Sequence, residues 1–277
     1  MRFGISLPPF GDFADPASVA ALAEQAEAAG WDGFFVWDHL LRADGALPIG
    51  DPWTALAAVA VATRRMRIGP LVTPLARRRP WVVARQAVSL DQLSGGRTIL
   101  GVGLGNDRGR ELSAFGEATD PKERAALLDE SLAVLSALWS GEPVTYDGAH
   151  LHVHEVRFLP RPVQRPGIPI WVGGEWPNRA PWRRAARYDG AFPVGAVTDA
   201  ADVRALAEQV AAHRPPGAGP FDLVVQGRAG RLAAGAAADL GALAAAGATW
   251  WMEAFRPEED PAQVRAAVAA GPRGAGG

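Results

Sequence analysis

His39 is the residue whose chemistry is easiest to name. It follows a strand-like run, Gly33 to Trp37, and imidazole titrates near neutrality, so it can give or take a proton beside a reacting centre. Its neighbour Asp38 is placed either to orient the ring by a hydrogen bond or to cap the next turn. Glu253 and Glu111 are the carboxylates able to carry the acid role instead, and each reads equally well as a surface or ion-pair group. Gly173-Gly174, ahead of a helix expected from about Asn178, form a candidate anion cradle. Amides at a helix N-terminus favour phosphate, and glycine lets the oxygens approach. The alternative is a plain strand-to-helix turn. A bulky side chain at Gly174 is then expected to block phosphate while standing in solvent, and Arg179, Arg183 and Arg184 add nearby charge. Trp176 and Trp182, two of 10 tryptophans, sit in a Pro-rich loop as candidate walls of a substrate pocket. Large aromatics stack on planar ligands, although they also fill cores. His150, His152 and His154 alternate along one possible strand. No carboxylate stands at telling spacing to them, so the segment reads as a lid surface and no metal is expected.

The elements that position these residues alternate short β-like runs with longer Ala-rich helical runs, the mark of a parallel sheet. Strands are expected at Phe3 to Leu7, Gly33 to Trp37, Arg67 to Thr73, Thr98 to Gly103, Ile170 to Val172, Gly190 to Val194, Phe221 to Gln226 and Thr249 to Ala254. Helices are expected at about Pro16 to Ala29, from Pro52 onward, Trp81 to Leu93, Lys122 to Trp139, Asn178 to Arg187, Ala201 to His213, Ala233 to Ala246 and Pro261 to Ala270. Eight strands alternating with helices is the count of a closed (β/α)8 barrel, the TIM barrel. A doubly wound open sheet is the rival. It is weakened because Arg108 stands where a dinucleotide fingerprint beginning Gly103-Leu104-Gly105 would have its third glycine. In a barrel, function collects at the C-terminal strand ends. That rule selects Asp38, His39, Thr73, Asn106, Asp107, Gly173, Gly174, Glu175, Phe192, Pro193, Gln226 and Glu253. Trp250 and Trp251 must point to opposite faces of one strand. The 277 residues read as one barrel domain, with an insertion at about 105–168 after the fourth strand. The Gly-rich tail, 271–277, is expected to be disordered.

Composition narrows the function class. A net charge of −2, with 28 basic residues dispersed along the chain, argues against a nucleic-acid partner. The densest basic cluster, Arg77-Arg78-Arg79, is too short for such a footprint. There is no cysteine, which excludes disulfides, thiol catalysis and thiolate metal sites. No apolar run reaches membrane-spanning length and nothing marks export, so a cytoplasmic location and a small-molecule substrate are expected.

The most informative motif is Asp91-Gln92-Leu93-Ser94-Gly95-Gly96-Arg97, followed by an apolar run and Gly101-Val102-Gly103-Leu104-Gly105. It reads as a helix end, a glycine turn, a buried strand and glycines at the strand exit. With Arg2-Phe3-Gly4-Ile5, Trp37-Asp38-His39, Arg67-Ile68-Gly69-Pro70-Leu71-Val72-Thr73-Pro74 and Ile168-Pro169-Ile170-Trp171-Val172-Gly173-Gly174 in this order, the chain resembles the luciferase-like flavin-dependent oxidoreductases, a family of TIM barrels. The resemblance implies hydride transfer to or from a small organic substrate with the deazaflavin coenzyme F420, the branch that Trp37-Asp38-His39 is most similar to. The alternative is a monooxygenase using reduced FMN. A second alternative, a flavin-binding protein without turnover, is opposed by His39 and Gly173-Gly174. The resemblance also implies that His39 lies beside the reactive edge of the ring and the cofactor phosphate at Gly173-Gly174. A non-prolyl cis peptide is implied at Leu71–Val72, supporting the ring's face. The strand-end residues Thr73, Asn106, Phe192 and Pro193 complete the expected cofactor-binding set. One departure stands out: deazaflavin sugar-phosphate dehydrogenases carry a Glu after the strand-four glycines, where this chain has Asn106, which puts a sugar-phosphate substrate in doubt. Relatives pair through barrel helices, so a homodimer is implied, with the Ala-rich run Pro52 to Ala62 allowing close approach.

Overall fold

The computed structural model describes residues 1–42, 45, 47–195, 199–228 and 237–272. The start of the helix expected from Ala233 and residues 273–277 of the tail lie outside the described residues. In chain order the main elements are β1 (Arg2–Leu7), α1 (Pro16–Ala28), β2 (Gly33–Val36), α2 (Pro52–Ala62), β3 (Arg67–Pro70), β4 (Thr73–Pro74), α3 (Pro80–Ser94), β5 (Leu100–Gly103) and α4 (Pro121–Leu138). They continue with β6 (Pro143–Asp147), β7 (His152–Arg157), β8 (Ile170–Glu175), α5 (Ala180–Ala185), β9 (Gly190–Val194), α6 (Ala200–Ala211), β10 (Asp222–Arg228), α7 (Ala237–Ala245), β11 (Trp250–Ala254) and α8 (Pro261–Ala269). Four of the helices, α1, α2, α4 and α8, start on an Asp-Pro pair. The aspartate accepts from a first-turn amide, and proline fills the position whose N–H needs no partner.

Nine parallel strands form one sheet in the order β3-β2-β1-β11-β10-β9-β8-β5-β4. Its two ends, β3 and β4, are pieces of one strand interrupted at Leu71 and Val72, so the sheet closes on itself as a TIM barrel. Closure is completed on one side by Thr73 pairing Val102 and on the other by the bridge between Ile68 and Thr98. Alternation then divides the side chains into two layers. Phe35, Leu71, Ile99, Trp171, Phe192, Val224, Trp250 and Met252 fill the barrel interior. Ile5, Leu7, Phe34, Val36, Ile68, Val102, Val172, Val225 and Trp251 face the helices. Trp250 and Trp251 thus take opposite layers, as their adjacency requires.

The motif that makes the sequence recognisable is structural. Gly95 closes α3 in the left-handed conformation (φ 68°). Asp91 accepts from Val163 N (2.7 Å), Gln164 N (3.1 Å) and Gln164 Nε2 (2.8 Å), tying the chain that precedes β8 to α3. Arg97 places its five donors on Ser94 O, Thr63 Oγ1, Met66 O, Ala60 O and Thr63 O, all at 2.8–3.0 Å, and so joins the end of α2 to the entrance of β3. These contacts lie at the N-terminal ends of the strands, the face of a barrel that carries stability rather than chemistry.

The hairpin β6–β7 is not a lid. Glu130 of α4 accepts from Ala149 N, His150 N and Leu151 N at 2.9–3.2 Å, which fastens the hairpin turn along α4 rather than over the strand ends. His152 pairs with Asp147 at 2.5 Å on the exposed face of that hairpin. No helix among the described residues is long and apolar enough to cross a membrane.

Candidate active site

The C-terminal mouth of the barrel is bounded by small interior-facing residues. Leu71–Val72 is a cis peptide, at the position the family resemblance implies. A Cβ on Gly103 would meet Val72 Cγ2 at 2.9 Å, and one on Gly173 would meet Val72 Cγ1 at 2.8 Å. The two methyl groups of Val72 therefore stand between β5 and β8 only because both positions are glycine. Next to them, a Cβ on Gly101 would come within 2.4 Å of Pro70 O, and one on Gly69 within 1.8 Å of Ile99 O. The resulting floor is backbone with the side chains of Leu71, over Gly101, and Val72, over Gly103 and Gly173; Phe192 and Met252 are buried in the same interior cluster.

His39 stands at this mouth, one-third exposed (32%), edge-on to Phe10 with ring centroids 5.6 Å apart and tilted against Trp37 at 5.8 Å. Trp37 is itself held by a 2.9 Å bond from its Nε1 to Ser6 Oγ. His39 Nδ1 lies 3.0 Å from Glu111 Oε1, and that oxygen also accepts from Leu40 N (2.6 Å) and Leu41 N (3.1 Å). Glu111 is 5% exposed. Burial alone would push its carboxyl up, but hydrogen bonds from His39 and the amides of Leu41 and Leu40 reverse this and hold it below the ordinary glutamate value. Glu111 is therefore an ionised partner of His39.

Asp38 does not orient His39. Its buried carboxylate accepts from Thr73 Oγ1 (3.0 Å), Arg78 (2.7 Å) and Arg77 (3.2 Å), and Arg77 also reaches Asp38 O at 2.7 Å. The aspartate thus locks the exit of β2 to β4 and the turn after it. Two residues of the Arg77-Arg78-Arg79 cluster are internal: Arg77 is 2% exposed and Arg78 17%.

The other expected site residues divide between mouth and wall. Phe192 and Gly173 face inward and lie opposite one another in the β8–β9 register. Pro193 and Gly174, the next pair, face the helices. The sheet continues through this pair, so β8 runs to Glu175 where the sequence suggests an end at Val172, and Gly174 is not at a solvent-facing turn. A Cβ there would meet Pro181 Cβ at 2.3 Å, so glycine is needed for α5 to seat on the sheet. Gly174→Val should accordingly destabilise the fold by about 1–3 kcal/mol through overpacking, read from the urea midpoint. An unchanged midpoint would show that α5 shifts without cost.

Trp182 is fully buried in the layer between sheet and helices, and is not a pocket wall. Trp176 is half-buried and donates to Asp202 of α6 at 2.9 Å. Arg184 is engaged by Asp129 at 2.7 Å and 2.8 Å, which removes it from any anion cradle. Asn106 is exposed and accepts from Arg108 N at 3.0 Å. Glu253 lies on the outward face of β11 with Trp251, whose Nε1 donates to it at 3.0 Å; alternation directs it away from the mouth. Among the described residues no group of three potential metal-ligating side chains is assembled. The pairing that sequence reasoning missed is Glu111 with His39. The two are 72 residues apart, and no local pattern joins them.

A family model described as luciferase-like monooxygenase matches residues 1–234. The chain belongs to the luciferase-like monooxygenase family. Among relatives of this luciferase-like protein is an F420-dependent glucose-6-phosphate dehydrogenase of Nakamurella multipartita. It is 36% identical over 198 residues, which cover 69% of this chain and 55% of that protein. The chain therefore spans about half the length of the curated relatives it matches. Among solved structures, the coenzyme F420 dependent tetrahydromethanopterin reductase of Methanopyrus kandleri superposes with a TM-score of 0.76 at 18% identity, covering 97% of this chain and 96% of that one. The monooxygenase RslO1 of Streptomyces bottropensis gives a TM-score of 0.66 at 27% identity, covering 89% and 79%. The luciferase-like barrel is thus shared by F420-dependent and oxygenating enzymes.

Proposed function

We propose that the chain is an F420-dependent oxidoreductase that moves a hydride to or from a small organic substrate. The observation that carries this reading is a histidine at the barrel mouth, beside the glycine floor and held by a buried carboxylate. The floor fits a planar ring: at Gly103 and Gly173 no side chain rises from β5 or β8, and Val72 supplies the contact surface. The pairing of β8 with β5 ends at Val172, which leaves Gly173 at the rim as a backbone position for the cofactor's polar tail. The bound deazaflavin would supply the hydride chemistry. The chain's part is to hold the ring on that floor, to exclude water with Phe10, Trp37 and Phe192, and to hold or take a proton at His39. F420 is favoured by the relatives so named; glucose-6-phosphate is not carried over with it, because the chain spans only about half the length of those relatives.

A flavin monooxygenase is the second reading, favoured by the 27% identity to RslO1 over most of both chains. Anaerobic titration with F420 and with FMN, followed by ring absorbance, separates the two. F420 should bind at least about tenfold tighter, a difference of about 1.4 kcal/mol, and should then be reduced or oxidised by a substrate from a panel of secondary alcohols, ketones and glucose-6-phosphate. Preference for FMN, with oxygen consumed on adding substrate, would transfer the proposal to the monooxygenase. Binding of neither would sink both. The working form is proposed to be a cytoplasmic homodimer, and solution scattering on the same sample should report a dimer rather than a monomer.

A further inference from the structure

One oxygen of Glu111 decides which nitrogen of His39 carries hydrogen. Glu111 Oε1 already accepts from the amides of Leu40 and Leu41, at 2.6 Å and 3.1 Å. Those amides have no choice of role: a backbone N–H can only donate. The oxygen facing them is therefore an acceptor, and His39 Nδ1, 3.0 Å from the same atom, must approach it as N–H. Among the described residues no other charged group is bonded to that nitrogen. The Asp38 carboxylate is occupied by Thr73, Arg77 and Arg78, and Arg42 reaches Glu258 at 2.9 Å.

The geometry points to Glu111 as a positioning residue that holds His39 in the Nδ1–H tautomer, leaving Nε2 as the proton-accepting nitrogen at the barrel mouth. His39 Nε2 would take the hydroxyl proton when a substrate alcohol is oxidised and return it to the carbonyl oxygen in the reverse direction, while bound F420 would supply the hydride chemistry, as acceptor in the first case and donor in the second. The catalytic use of this tautomer rests on the proposed oxidoreductase function; the tautomer itself does not.

The test combines imidazole nitrogen NMR with kinetics on the full chain. His39 is one of 5 histidines, and its signals are identified by their loss in His39→Gln. In the unmodified protein with the ring neutral, Nδ1 should be protonated and Nε2 bare. Glu111→Ala should remove that bias and lower kcat by about tenfold or more, since a histidine base left in the wrong tautomer loses rate, with KM little changed. Glu111→Gln keeps an acceptor oxygen toward Leu40, Leu41 and Nδ1, so it should restore the Nδ1–H tautomer and most of the lost kcat. A bare Nδ1 in the unmodified protein overturns the inference. So does a Glu111→Ala protein that keeps both tautomer and rate. If Glu111→Ala fails to fold, the unmodified protein and Glu111→Gln still decide. The correct tautomer in a protein that binds neither F420 nor FMN would leave the role of Glu111 standing and reject the oxidoreductase reading. Turnover with an indifferent tautomer would do the reverse.

Discussion

His39→Ala is expected to lower turnover by about 10²–10⁴, the usual contribution of a positioned acid–base group, while F420 affinity stays within about threefold. The first magnitude corresponds to about 3–5 kcal/mol of transition-state stabilisation. Binding should survive because the floor formed by Val72, Gly103 and Gly173 does not involve the imidazole. Folding should survive because His39 is one-third exposed and Glu111 keeps its two backbone donors when the ring is gone. His39→Gln should lose turnover as well, since an amide side chain offers no nitrogen that can accept the proton. Unchanged turnover in both variants would make His39 a packing residue against Phe10 and Trp37. Lost cofactor binding in a folded protein would make it a binding residue and remove the support for its proton role.

Asp38→Ala should have an effect of similar size on a different quantity. Removing this carboxylate leaves Arg77 and Arg78 facing one another, Arg77 almost wholly buried, with no anion between them. Breaking a buried pair in this way costs about 3–5 kcal/mol, because the uncompensated charge remains. The loss should appear as a lower midpoint in chemical denaturation. The pH profile of whatever folded fraction remains should be unaltered, since Asp38 does not touch His39. A stable Asp38→Ala protein with an altered pH profile would return Asp38 to the catalytic role that adjacency in sequence suggests.

Much of the barrel is legible in the sequence because each strand carries its own local signal. Asp-Pro pairs mark helix starts, Gly95 marks the end of α3, and apolar runs mark strands covered on both faces. What escapes is decided by contacts between distant segments. The extension of β8 to Glu175 depends on β9 continuing alongside it, and with that extension Gly174 turns from a presumed phosphate contact into a seat for Pro181. Trp182 reads as a pocket wall from its Pro-rich surroundings, but α5 turns it into the core. Asp38 is adjacent to His39 in sequence, and on an emerging chain adjacency places the two side chains on different faces. The true partner, Glu111, arrives from the loop after β5. The cis bond at Leu71–Val72 has no signature in residue type and is legible only through family resemblance.

The glycine floor has a consequence for anyone who would retrain this protein. At positions 69, 101, 103 and 173 even a methyl group would strike backbone or Val72 within 3 Å, so randomising the floor yields mostly misfolded clones. Diversity that the fold can survive lies at the rim, where Leu40 and Val194 are about half exposed. A mutant library aimed there would alter the rim of the mouth while leaving the glycine floor intact.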